Sequence, residues 1–133
     1  MFSPVKRATL LYPSGTSSDP NRKHLFTLLT DPFGPGKQVL MVSISTIRSA
    51  NHDKTCILAP GEHDFIQDPS YVVYNSCRVE PASKLINGVQ QTIFADKGLL
   101  DEAVFTRILS GISVSPFTKP FAIEFLEDCA GRG

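Results

Sequence analysis

Four short phrases follow one another in this chain: LYPSG at Leu11 to Gly15, NRKHLFTLL at Asn21 to Leu29, VLMVSISTI at Val39 to Ile47, and PSYVVYNSCRV at Pro69 to Val79. Each is a strand or strand entry, and the polar residues at their ends are of types that can hold a phosphodiester. An arginine fork binds two phosphate oxygens and keeps its charge, which suits it to stabilising a phosphoryl transition state. A serine or threonine hydroxyl at a strand end can hydrogen-bond a phosphate oxygen and fix the scissile group in place. An imidazole titrates near neutrality and can pass a proton. Taken singly, Arg22, His24 and Ser45 are equally ordinary strand-surface residues. Their order along the chain is what singles them out.

Two other constellations compete with this chemistry. His52, Asp53, Cys56, Glu62, His63 and Asp64 are metal-ligand types within thirteen residues, but their spacing matches no compact Cys/His pattern, so no metal is expected. Gly34-x-Gly36-Lys37 lacks the longer glycine spacing of a phosphate loop and the Ser/Thr after lysine, which excludes nucleotide binding by that route. No cofactor is expected.

The elements that must position these residues are mostly strands. Thr9 to Tyr12 is a short strand stopped by Pro13, and Ser14 to Asn21 is a loop by composition. His24 to Thr30 is apolar and ends at the Asp31-Pro32-Phe33-Gly34-Pro35-Gly36 cluster. Val39 to Ile47 is β-branched and apolar on both alternating faces, as a central strand should be. Thr55 to Leu58 and Ser70 to Tyr74 add strands, the second running on through Cys77-Arg78-Val79. Helical periodicity comes late, in Leu99, Leu100, Ala103, Val104 and Ile108 with Gly111 as the stop. A second helix enters at Thr118 and Pro120, with Phe121, Phe125 and Leu126 facing the core and a frayed tail from Ala130. The fold class is mainly β with C-terminal helices (α+β), a small β-barrel.

At 133 residues the chain reads as a single domain, 1–133, with 114–133 a helical C-terminal extension. No apolar run approaches the roughly 18 residues that span a bilayer, and Met1 to Val5 has no signal-peptide core, so a cytoplasmic protein with no membrane partner is expected. Three cysteines without a close pair fit reduced thiols, with Cys56 and Cys77 as small core residues. Net charge is zero but unevenly placed. Residues 1–54 carry seven Lys/Arg against three Asp, giving +4, and the remainder carries the balancing −4. A cationic first half can attract a polyanion if it folds onto one face.

The ordered phrases resemble the MazF/PemK family of toxin endoribonucleases. The family's L-x-P phrase, Gly/Ser loop and Arg-led strand are matched by Leu11-Tyr12-Pro13, Ser14 to Asn21, and Arg22-Lys23-His24-Leu25-Phe26. Its apolar-Ile-Thr strand end is matched by Val42-Ser43-Ile44-Ser45, and its later S-x-V phrase with a basic residue by Ser70-Tyr71-Val72 and Arg78. The family's Gly-Asp-apolar start and Trp are absent, Lys23 replaces Pro, and Ser45 stands where Thr is usual.

The resemblance implies an SH3-like barrel and a metal-independent hydrolase of single-stranded RNA, working by 2′-OH attack on the scissile phosphate. It also implies a homodimer held inactive by a cognate antitoxin. It nominates Arg22 and Ser45 as the catalytic pair, with Thr46 as the alternative because adjacent strand residues face opposite ways; His24 is a further catalytic candidate on the chemistry of its imidazole, as a proton carrier. Lys23, Arg48, His63, Tyr71 and Arg78 are the candidate RNA contacts, Tyr71 by stacking on a base. A non-catalytic RNA- or protein-binding module on the same barrel is the alternative.

Overall fold

The computed structural model describes residues 1–13 and 23–132. Six strands, β1 (Ala8–Pro13), β2 (Lys23–Leu28), β3 (Gln38–Thr46), β4 (Ile57–Leu58), β5 (Ser70–Pro81) and β6 (Ala95–Leu99), form one sheet in the order β4-β5-β3-β2-β1-β6. Every pairing is antiparallel, and the sheet curls into a half-barrel. Three helices cover it: α1 (Ala82–Gln90), α2 (Glu102–Gly111) and α3 (Pro120–Arg132). The described chain is therefore an α+β fold dominated by β structure.

β3 is the centre of the sheet, as its two apolar faces require. Leu40, Val42 and Ile44 join Leu25, Val72 and Tyr74 in a core closed by Val104, Phe105 and Ile108 of α2 and Ala122 of α3. Val39 and Met41 point the other way, into a smaller core with Leu10, Tyr12, Phe26 and Leu28, closed by Leu85 of α1 and by Phe94. Burying side chains of this size stabilises by about 1.5–3 kcal/mol each. Cys56 and Cys77 are buried in the larger core. Burial pushes the Cys77 thiol up to about 12 and raises that of Cys56, so both stay protonated and unreactive near neutrality.

α1 and β6 add to the elements that the sequence patterns mark, and Gly88 lets α1 pass Phe94 so closely that an added Cβ would lie 2.2 Å from that ring. Three expectations are corrected. Leu99 and Leu100 precede α2 rather than belonging to it, because the Asp101 carboxylate accepts from the N–H groups of Ala103 (3.0 Å) and Val104 (3.4 Å) and so begins the helix at Glu102. In α3, Phe121 is exposed while Ala122 is buried, and the helix runs on to Arg132 in place of a frayed tail. The Ser14 to Asn21 loop lies outside the described residues.

α2 is fixed to the sheet through Tyr74. The ring is fully buried, and its hydroxyl donates to the Ile108 carbonyl at 2.7 Å, one of the helix-end acceptors without an intrahelical partner. Gly111 passes over this hydroxyl so closely that a Cβ would lie 1.9 Å from it. Gly111→Ala is therefore expected to destabilise the fold by about 1–3 kcal/mol through overpacking, read as a lower urea midpoint at unchanged slope. An unchanged midpoint would contradict this packing.

Candidate functional site

β5 does not pair evenly with β3. Met41 stands opposite Arg78 and Ser43 opposite Val73, so β5 carries three extra residues at this point. Ser76 stabilises the bulge: its hydroxyl donates to the Val73 carbonyl (2.6 Å) and accepts from the Ser43 N–H (3.0 Å). The Ser43 hydroxyl, 2.7 Å from Ser76 Oγ, is then the donor in that pair. An odd number of extra residues reverses which side chains face which side. Tyr71 and Val73 before the bulge and Arg78 after it consequently share one face.

That face opens as a cavity of about 430 Å³ lined by His24, Phe26, Ser43, Ser45, Tyr71, Val73, Ser76 and Arg78. α1 covers the same sheet face further along, where Val39 and Met41 are buried, and the cavity begins where that cover ends. Register accounts for the meeting of His24 and Ser45: Leu25 pairs with Ile44, and the two polar residues flank that pair. Ser45 in turn pairs with Tyr71. The Ser45 hydroxyl makes no hydrogen bond among the described residues and can meet a ligand.

Arg78 is held from two sides. Its guanidinium lies over the Tyr12 ring at 4.6 Å, and Nη2 pairs with Glu80 Oε2 at 3.0 Å. The same carboxylate oxygen accepts from the Tyr12 hydroxyl (2.6 Å) and from Lys84 (3.0 Å). Burial pushes the Glu80 carboxyl up, but the hydrogen bonds from Tyr12 and Lys84 and the two cations outweigh it and hold the group below its ordinary value of 4.5. Burial, then the bond to Glu80, raises the Tyr12 phenol. Arg78 Nε–H is buried without a partner among the described residues, while the side chain as a whole lines the cavity and is 40% exposed. Sequence reasoning missed Tyr12, Ser76 and Glu80, because the bulge that brings them beside Arg78 leaves no mark in the alternation.

The other sequence candidates fall elsewhere. Thr46 lines a separate cavity on the opposite face with Phe65, Gln67 and Asp68, so Ser45 is the residue that faces His24. His63 is buried within the fold: Nδ1 accepts from the Phe65 N–H (2.9 Å), and Nε2–H donates to the Lys97 carbonyl (3.0 Å) beside Thr9. With both nitrogens engaged, it has none left for RNA. Lys23 and Arg48 are exposed and line neither cavity that contains Tyr71. Arg22 lies outside the described residues.

A larger cavity, about 520 Å³, adjoins the first and shares Tyr71 and Val73 with it. The segment 50–54 and Phe117 are both in its lining. Asp53 joins the two: Oδ2 accepts from the Ser115 hydroxyl (2.6 Å), and Oδ1 from the N–H (2.9 Å) and hydroxyl (2.6 Å) of Thr55. Burial raises the Asp53 carboxyl, but these bonds together hold it below its ordinary 3.8. Among the described residues, no group of three His, Cys, Asp or Glu side chains is arranged to hold a metal ion, and no helix is long and apolar enough to cross a membrane. Comparison of the chain with protein-family models and with curated proteins returns no match.

Because Glu80 is held below 4.5 in the folded chain, its contribution is complete above 4.5 and is lost as pH falls through the depressed folded value. Glu80→Gln is expected to lose about 1–3 kcal/mol at pH 7 and to show a shallower fall in stability between pH 6 and pH 3 than wild type, measured by urea unfolding across that range. Parallel pH profiles would show that Glu80 does not carry the acid sensitivity.

Proposed function

We propose that this protein is a MazF/PemK-like endoribonuclease on an SH3-like version of the curled barrel. It cleaves single-stranded RNA without a metal, as the toxin of a toxin-antitoxin pair, and acts in the cytoplasm as a homodimer restrained by its cognate antitoxin. The observation that carries the reading is the cavity that gathers His24, Ser45, Tyr71 and Arg78 on one sheet face. These are four of the residues nominated by the ordered phrases. The dimer and the antitoxin rest on the resemblance of those phrases.

In this reading the scissile phosphate lies between the Ser45 hydroxyl and the Arg78 guanidinium, which Glu80 and Tyr12 hold in place. The ribose 2′-oxygen attacks phosphorus and releases its proton to water as the bond to the 5′-oxygen breaks. His24 gives a proton to the departing 5′-oxygen. Arg78 stabilises the charge that gathers on the phosphorane-like oxygens. The products are a 2′,3′-cyclic phosphate and a 5′-hydroxyl. Arg22, next in sequence to the first residue of β2, keeps through the resemblance alone its role as the catalytic arginine paired with Ser45, and Arg78 acts with it on the phosphate. The Arg78–Glu80 ion pair also favours the second reading, a non-catalytic RNA-binding module, since it offsets part of the charge presented to a phosphate.

The test is digestion of a long mixed-sequence RNA in EDTA, with cut positions and end chemistry mapped. Wild type is expected to give discrete cuts with cyclic-phosphate ends. Arg78→Ala should be slower by about 100-fold or more, and Ser45→Ala and Arg22→Ala should also be slower, while Thr46→Ala should match wild type. Intact RNA in every lane would end the enzyme reading, and binding that survives at low salt would then favour the binding module.

A further inference from the structure

The larger cavity has the character of a base-binding slot. The His52 imidazole leans on the Tyr71 ring with centroids 5.2 Å apart at 48°, and Phe117, 56% exposed, lines the same cavity. His52 Nδ1 is 2.8 Å from the Ser49 carbonyl, which can only accept, so Nδ1 carries a hydrogen and Nε2 is left for a ligand. The carboxamides of Asn51 and Asn75 line the same space and bond to no other described residue. Acceptors, donors and flat apolar faces are what a nucleobase edge and ring require.

The walls are held together rather than left to drift. Ser115, which donates to Asp53 on the 50–54 side, also accepts from the Phe117 N–H at 3.1 Å. Ser115 thereby ties the backbone of Phe117 to the 50–54 segment that carries His52. About 520 Å³ falls within the roughly 300–1,000 Å³ typical of small-ligand sites. Tyr71 belongs to both cavities, so a group in this one is a neighbour of a group beside Ser45 and Arg78.

We propose that the space between His52, Tyr71 and Phe117 binds one unpaired nucleobase of the RNA, next to the phosphate held at Ser45 and Arg78. This rests on the RNA reading above and adds to it the part of the site that recognises bases. The Asp53–Ser115 bond is a positioning contact for the slot.

The experiment measures binding of fluorescein-labelled single-stranded 2′-O-methyl RNA octamers of U, C or A, which cannot be cleaved by 2′-OH attack, by fluorescence anisotropy. An abasic octamer with the same backbone charge is the reference. Wild type is expected to bind at least one base-bearing strand about 5- to 100-fold more tightly than the abasic strand. In His52→Ala and in Phe117→Ala, checked for wild-type thermal midpoints, that ratio should fall towards one, whereas Arg78→Ala should weaken binding of both strands and keep the ratio. Equal binding of base-bearing and abasic strands by wild type overturns the slot while leaving the ribonuclease reading intact. A ratio preserved in both aromatic variants also overturns it. Failure of wild type to bind any strand at low salt overturns the slot and the RNA reading together.

Discussion

One backbone donor decides the shape of the site. Where β5 bulges, the Ser43 N–H has no strand carbonyl opposite it, and the Ser76 hydroxyl takes that place at 3.0 Å. A buried N–H without a partner is costly, so a bulge at the centre of a sheet persists only where a side chain satisfies the freed group. Ser76 does this while donating to Val73, which folds the extra residues back on themselves. Both Tyr74 and Cys77 can then enter the larger core, while Arg78 and Glu80 turn to the other side. Tyr74 reaches α2 from this position, so the same bulge serves the core and the cavity.

Glu80 is the electrostatic counterpart of that arrangement. One nearly buried carboxylate organises two cations and a phenol, and its own desolvation is offset by short charged hydrogen bonds. Arg78 is held flat against Tyr12 by the network and is still 40% exposed at its side chain. A guanidinium fixed in this way loses little further freedom on meeting an anion. Tyr12 also stacks on Phe94 at 4.6 Å, so the smaller core continues directly into the wall of the site.

Much of the sheet was legible in the residues because alternation and β-branching are local signals. β3 stands at the centre as its two apolar faces require, and β1, β2 and β5 begin within a few residues of where their patterns place them. α1 and β6 were not legible. α1 buries only Ala82, Leu85 and Gly88, and β6 is a polar edge strand that reads as loop. His24, Ser45, Tyr71 and Arg78 stand out in the sequence by type and order, and the structure brings them to one cavity. The choice between Ser45 and Thr46 needed the register with β2, which no local pattern carries. His63 looked like a groove residue because its Gly-Glu-His setting suggests a surface turn, yet contacts with Thr9 and Lys97, distant in sequence, bury it.

The two edges of the sheet bear on how the molecule behaves in a crowded solution. An open sheet presents unpaired N–H and C=O groups that can recruit a strand from another chain and start aggregation. At one edge β4 is only two residues long and pairs with β5 only at Ser70 and Tyr71, and beyond it β5 is interrupted by its bulge. At the other, β6 reads Ala-Asp-Lys-Gly-Leu, with charges at Asp96 and Lys97 and Gly98 at a φ of +81° that breaks the extended run. Its register with β1 is also interrupted between Ala8 and Leu10. Among the described strands, both rims of the half-barrel thus carry interruptions that work against the pairing of a further strand.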